Sequence, residues 1–197
     1  PKRLGIIGSG AIGIEFASFY NDLGSKVCVF EMQDRICPNE DNDISKTLEK
    51  ILTQKGIQFF KNSNVQDVIK KDNIQLISNF NNGNKSFNFD KVLLAAGVEG
   101  NTDNIGLENT QVKVKNKQIT TYECGLTDEK NIYAIGDVAG LPWLAHKASH
   151  EGIKCVEFLT KSNIFPLNKN RIIPSCIYSN PQVASIGLSE VKAKKLF

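Results

Sequence analysis

Along the first sixty residues, short apolar runs alternate with segments of helical period. "RLGIIG", Arg3 to Gly8, is an apolar run ending in glycine, and Ala11 to Leu23 then repeats bulky apolar residues at Ile12, Phe16, Phe19 and Leu23 before Gly24 stops it. "KVCVFE", Lys26 to Glu31, is a second buried run. Strand, helix and strand in this order predict a βαβ unit with a parallel strand pair. Ile44 to Lys55 repeats the helical period, with Asp41 and Asp43 at its positive end and Gly56 just past it, and "IQFF" supplies a third strand.

After Phe60 the period shortens. Val65 to Lys71, Ile74 to Ser78 and Ser86 to Phe89 alternate or run apolar, separated by "KDN" and an Asn/Gly turn in "NFNNGNKSFNF", which predicts a small antiparallel meander. "KVLLAAG", Lys91 to Gly97, returns to a buried parallel-type strand. Asn101 to Thr127 is polar and turn-rich, with short strands at most. "NIYAIG" reads as a further buried strand, and Ala145 to Leu159 as a helix with apolar positions near Ala148, Ile153, Val156 and Leu159. Beyond Pro166 the composition shifts. A strand Pro174 to Tyr178, the turn "SNPQ", a strand Val183 to Ile186 and a helix capped by Ser189 follow. The pattern is α/β: a Rossmann-like parallel sheet with a β-meander, then parts of other units.

Composition narrows the function classes. At 197 residues, 41% hydrophobic and a formal charge of +3, the chain has the size of one full domain and part of another. Its 24 Lys and Arg nearly balance 21 Asp and Glu, so a basic nucleic-acid surface is not expected, and "KAKK" reads as a solvated helix face. No apolar run approaches the ~20 residues that span a bilayer. Five cysteines without C-x-x-C or zinc spacing point to free thiols in a reducing cytosol or organelle matrix. The chain opens on a strand without an initiator Met and stops within a helical pattern, as expected of a piece cut from a longer protein.

Candidate chemistry sits at two strand ends. Gly8-Ser9-Gly10-Ala11-Ile12-Gly13 is a G-x-G-x-x-G after a strand and opening a helix. The first glycine permits the tight turn, the second lets backbone approach a pyrophosphate, and the third allows helix to pack on strand, while the helix N-terminus offers free N–H groups. Glu31 ends the second strand, where a carboxylate accepts hydrogen bonds from ribose hydroxyls and repels a 2'-phosphate, so NAD is expected over NADP. Arg35 is the nearby residue that would favour a phosphate, and Asp34 beside it weakens such a clamp. The second strand end is Gly136-Asp137, ahead of a helix beginning near Leu144 to His146. An aspartate there can accept from a polyol, and the helix end offers positive potential to an electron-rich group. A flavin has both parts. His146 and His150, one helical turn apart, lack the further ligand a metal site needs and read as helix-face residues.

"IIGSGAIGIEFASFYNDLGSKVCVFE", "KVLLAAGVEGNTDNIGLE", "NIYAIGDVAGLPWLAHKASHEG" and "IPSCIYSNPQVASIGLSE" together resemble the flavin-dependent pyridine nucleotide-disulfide oxidoreductases, over nearly the whole chain and in the family's order. The resemblance is greatest to the branch that reoxidises the dihydrolipoyl group of 2-oxo acid dehydrogenase complexes and passes hydride to NAD+. It implies an NAD domain over 1–129, the returning part of an FAD domain over 130–166, and the start of a dimerisation domain over 167–197. It further implies NAD contacts from Gly8, Ser9, Gly10, Ala11, Ile12, Gly13, Ile14 and Glu15, with Glu15 near the nicotinamide, and from Glu31, Val65 beside adenine, and Gly97. The implied FAD contacts are Gly136, Asp137 at the ribitol, and Trp143, Leu144, Ala145 and His146 through backbone near the pyrimidine end. The implied partners are a lipoyl carrier domain and a second copy in a homodimer.

The family's C-x-x-x-x-C disulfide and its H-P-x-x-x-E histidine are not in this sequence, so catalytic residues are expected in other segments and the piece alone is expected to be inactive. The alternatives are another disulfide reductase of the glutathione or mercuric reductase type, and a non-catalytic NAD-binding redox sensor.

Overall fold

A computed structural model of the chain describes residues 1–80, 83–162 and 173–197. These form two compact units, the first from 1–97 with 174–197 and the second from 98–173, so the physical division falls at Gly97 and Val98.

The first unit is built on a four-stranded parallel sheet in the order β3-β2-β1-β7, with β1 (Arg3–Ile7), β2 (Lys26–Phe30), β3 (Gln58–Phe60) and β7 (Lys91–Leu94). Helices α1 (Ala11–Asp22) and α2 (Asn42–Gln54) connect the first three strands as the sequence predicts. Alternate strand residues divide between two cores, because successive side chains leave a strand on opposite faces. Leu4, Ile6, Val27 and Val29 join Ile14 and Ala17 of α1 and Leu48 and Leu52 of α2 in one cluster. Phe30 faces the other way, into a cluster with Leu76 and Phe89 against Phe60 and Phe87. Those aromatic residues bring in the antiparallel meander β4 (Asn64–Lys70), β5 (Ile74–Phe80) and β6 (Gly83–Phe89), with an irregularity between Val65 and Asp67. Phe30 stacks on Phe60 at 5.0 Å and meets Phe87 edge-on at 4.9 Å, geometries that add to the area the rings bury. The expected Asn/Gly turn before β6 lies partly outside the described residues.

Helix α1 packs through a face other than its bulky stripe. Its stripe of bulky residues, Ile12, Phe16, Phe19 and Leu23, is 41–67% exposed, and the face on the sheet carries Gly13, Ile14, Ala17 and Ser18. Small residues bring the helix axis close to the strands, so the face with the largest side chains is not the one that packs. In α2 the buried face is Ser45, Leu48 and Leu52. A hairpin of β10 (Ser175–Ile177) and β11 (Val183–Ser185), followed by α4 (Glu190–Leu196), belongs to this unit. Ile177 enters the α1–α2 core, Tyr178 N donates to Glu15 Oε1 at 2.8 Å, and Asn180 N donates to Ser18 Oγ at 3.0 Å. Ser189 caps α4, its Oγ accepting from Lys192 N.

The second unit has a small core of Val112, Ile119 and Ala134, with Leu107, Ile132 and Val138 around it. Its strands among the described residues are the two-residue β8 (Val114–Lys115) and β9 (Gln118–Ile119). "NIYAIG" is not a ladder strand: one bridge, Leu126 to Tyr133, is its pairing among the described residues. The segment leads into a 3-10 turn at Gly136–Ala139 and on to helix α3 (Ala145–Thr160). Buried α3 residues are Lys147 and Cys155, whereas Ile153, Val156 and Leu159 are exposed. No helix among the described residues is long and apolar enough to cross a membrane.

Candidate functional site

The loop from β1 to α1 is shaped by its glycines in different ways. Gly8 has φ +97°, and a Cβ there would lie 2.6 Å from the Ala95 carbonyl oxygen. At Gly13 a Cβ would lie 2.0 Å from the Gly8 carbonyl oxygen, so only glycine allows α1 to start where it does. Gly10 differs from both. Its φ is −67°, open to any residue, and no atom lies within 4 Å of where its Cβ would stand. The fold therefore does not require glycine at that position. The empty space in front of it is what a phosphate approaching the backbone would use. Gly10 caps α1 without a side-chain bond, and no acidic residue occupies the first turn, so the helix's free N–H groups and positive end are left for an anion.

Glu31, 8% exposed, stands beside this loop at the end of β2. Its Oε2 accepts from Ser9 N at 2.9 Å and Ser9 Oγ at 2.7 Å, and its Oε1 accepts from Gln33 N at 2.8 Å. Ser9 is fully buried, and its carbonyl accepts from Cys37 N at 2.9 Å. The neighbouring Arg35 is committed elsewhere: Nη2 donates to the Pro38 carbonyl at 2.7 Å. Burial, and then the nearby Glu40 and Glu31 carboxylates, push the Cys37 thiol up to about 12. That thiol stays protonated at neutral pH and is no nucleophile there.

A cleft of about 770 Å³ opens at this strand edge, lined by Gly8, Ser9, Gly10, Glu31, Val65 and Gly97 together with Met32, Asn39, Ser63 and Leu94 to Ala96. Six residues predicted from widely separated stretches thus line one space, within the size range of small-ligand sites. Ala11, Ile12, Gly13 and Ile14 form the start of α1 behind the loop and do not line the cleft. Glu15 does not line it either, its carboxylate being engaged with Tyr178 N.

In the second unit, Gly136 and Asp137 open the 3-10 turn, Asp137 is exposed, and Leu144 caps α3 without a side-chain bond or an acidic first turn. Ala145 and His146 begin that helix, whose N-terminal end offers positive potential to an electron-rich group. Trp143 just before it has a buried Nε1 with no partner among the described residues. A feature not anticipated from sequence fixes the turn. Lys147, only 7% exposed, donates from Nζ to the carbonyls of Gly140 at 2.9 Å and Gly136 at 3.3 Å and pairs with Glu151 at 3.1 Å. Glu151 Oε2 in turn accepts from Gly136 N at 2.8 Å. The one signal available in sequence was opposite charge at i and i+4, which is indistinguishable from a surface pair. A cleft of about 430 Å³ in this unit, lined by Cys124, Ile135, Glu151 and Lys154 among others, includes none of the six predicted flavin residues.

The profile of the family described as pyridine nucleotide-disulphide oxidoreductase matches residues 1–152. The dihydrolipoyl dehydrogenase of Bacillus subtilis is 44% identical over 98% of this chain and 41% of the relative's length, and that of Rhizobium etli is 44% identical over 100% and 41%. A solved structure of the Escherichia coli HOCl-induced flavoprotein disulfide reductase RclA, a mutant in complex with Cu(II), superposes with a TM-score of 0.91 at 26% identity, covering all of this chain and 44% of that one. The chain thus spans about two fifths of the length of the relatives it matches. FAD and NAD(H), the cofactors expected from the sequence, are those of this class of enzyme. With a glycine-loop cleft at the edge of its parallel sheet and a profile match across most of its length, the chain belongs to the pyridine nucleotide-disulphide oxidoreductase family of flavoproteins.

Proposed function

We propose that this chain carries the NAD site and part of the flavin site of a dihydrolipoyl dehydrogenase, which reoxidises the dihydrolipoyl group of 2-oxo acid dehydrogenase complexes. The observation that carries the reading is the unfilled space at Gly10, beside an uncapped helix end and a carboxylate suited to ribose. In this reading the amides of α1 hold the pyrophosphate, Glu31 Oε1 accepts from the adenine ribose, Val65 lies against adenine, and Gly97 lets the dinucleotide pass close to the backbone. Asp137 accepts from the flavin ribitol, and the α3 N-terminus, at Trp143 to His146, stabilises negative charge near the pyrimidine end of the ring. Bound FAD supplies the two-electron relay between a dithiol and NAD+. Glu15, whose Oε1 accepts from Tyr178 N, lies towards the nicotinamide in the same reading.

The redox disulfide, the base and the remaining flavin contacts belong to other segments of the protein. The domain divisions near 129 and 166 follow from the same reading, as do a homodimer and docking to a lipoyl carrier domain. The test is NADH formation by the full-length protein from dihydrolipoamide and NAD+, with NADP+ as control. NAD-dependent turnover supports the proposal. A flavin-loaded protein that oxidises NADH yet leaves dihydrolipoamide untouched moves the assignment to another disulfide reductase.

A further inference from the structure

The second position of the glycine loop, which the motif leaves open to any residue, is here a serine with no exposed surface. Its hydroxyl and amide both donate to the same carboxylate oxygen, Glu31 Oε2, at 2.7 and 2.9 Å. A carboxylate offers about four acceptor positions, two on each oxygen. Ser9 takes both on Oε2, and Gln33 N takes one on Oε1. One position on Oε1 is left. We infer that Ser9 is a positioning residue for dinucleotide selection: by pinning Oε2 it leaves Glu31 one oxygen to offer the adenine ribose and no freedom to turn away from a 2'-phosphate. The inference rests on the reading of the cleft as an NAD site.

The physical argument is about what a carboxylate does when a phosphate arrives. An acidic side chain free to rotate relieves the repulsion by swinging aside, and then discriminates poorly. Held by three donors and almost fully buried, Glu31 keeps its charge where it is. Selectivity then comes from the rigidity of the acid as well as from its charge. Arg35, tied to the Pro38 carbonyl, does not offset it.

The experiment measures dissociation constants for NADH and NADPH by calorimetry on the full-length protein and its variants. Ser9→Ala removes the shortest donor while keeping the backbone bond. NADH binding weakens and the NADPH to NADH ratio of dissociation constants narrows by about tenfold, the size set by one hydrogen bond to a charged group. Ser9→Cys, close in shape with a weak donor, moves the ratio the same way and serves where the alanine variant does not fold. Glu31→Gln narrows the ratio by itself, and adding Ser9→Ala to it changes the ratio no further, because the two act as one unit. If Glu31→Gln narrows the ratio and Ser9→Ala does not, the inference is overturned and the NAD site stands. The inference is equally overturned if Ser9→Ala shifts the ratio by the same factor in both backgrounds. A ratio unmoved by Glu31→Gln removes the site reading and the inference together.

Discussion

Replacing Lys147 by methionine keeps most of the side chain's length and volume and deletes every bond its ammonium makes. The carbonyls of Gly136 and Gly140 lose their donor, and Glu151 loses its counter-ion. Removing one partner of a buried ion pair costs about 3–5 kcal/mol, and a single hydrogen bond to a charged group about 1.5–3 kcal/mol. The Glu151 side chain is 33% exposed, so water takes over part of its solvation and the cost falls between these two ranges, about 2–4 kcal/mol. The loss falls on the turn that presents Asp137, and the Gly136 amide, bonded to Glu151, reports it directly. Hydrogen–deuterium exchange of the peptide containing Gly136, in the full-length protein, should accelerate by roughly thirty-fold or more, with helix α3 beyond Cys155 little changed. Unchanged exchange at Gly136 would show that the clamp does not hold the turn.

Gly10→Ala should leave the melting temperature within about 1 °C and weaken NADH binding about tenfold or more, whereas Gly13→Ala, whose methyl meets the Gly8 carbonyl, should cost about 1–3 kcal/mol in urea melts. A stable, fully NAD-competent Gly10→Ala protein would contradict the approach of phosphate at that point. Asp137→Ala in the full-length protein should lower the flavin to protein absorbance ratio after gel filtration, and a full complement of flavin would remove Asp137 from the site. The Cys37 thiol titrates at about 12 in the folded chain against an ordinary 9.0, so the unfolded chain loses its proton first. Stability should therefore fall as pH rises from about 9 towards 12, and Cys37→Ala should lessen that slope by up to about 1.4 kcal/mol per pH unit. Equal slopes in both proteins would refute the shift.

Much of the proposed nucleotide site is legible in sequence because its parts carry local signatures. A glycine motif between strand and helix, an acid at the next strand end and a returning apolar strand are each recognisable in one stretch, and parallel topology brings their ends to one edge. Val65 is placed by resemblance alone, and the meander reaches the cleft through aromatic packing of Phe30, Phe60 and Phe87 that no periodicity encodes. The packing face of α1 escapes periodicity because bulky residues dominate any helical pattern, and the crossover helix uses Gly13, Ala17 and Ser18 to lie close to the sheet. Ile132 to Ile135 reads as a core strand from composition, but a ladder needs neighbours, and the described residues supply one bridge. The Lys147 clamp stays hidden because burial of a charge is decided by tertiary surroundings, while its sequence spacing is that of ordinary helix-surface pairs.

The hairpin that closes the first unit also sets a timetable. Ile177 fills a gap in the core of α1 and α2, and Glu15, Ser18, Lys55, Glu40 and Asp41 each bond to a residue between Tyr178 and Glu190. On the ribosome, the strands and helices up to Gly97 emerge some eighty residues before Ile177, a delay of about 4–16 s at ordinary elongation rates. Through that interval the part of the α1–α2 core that Ile177 later covers stays open to chaperones and to neighbouring chains. Synonymous codons or pauses between Val98 and Ile173 should therefore alter the yield of folded protein without changing a single side chain in the cleft.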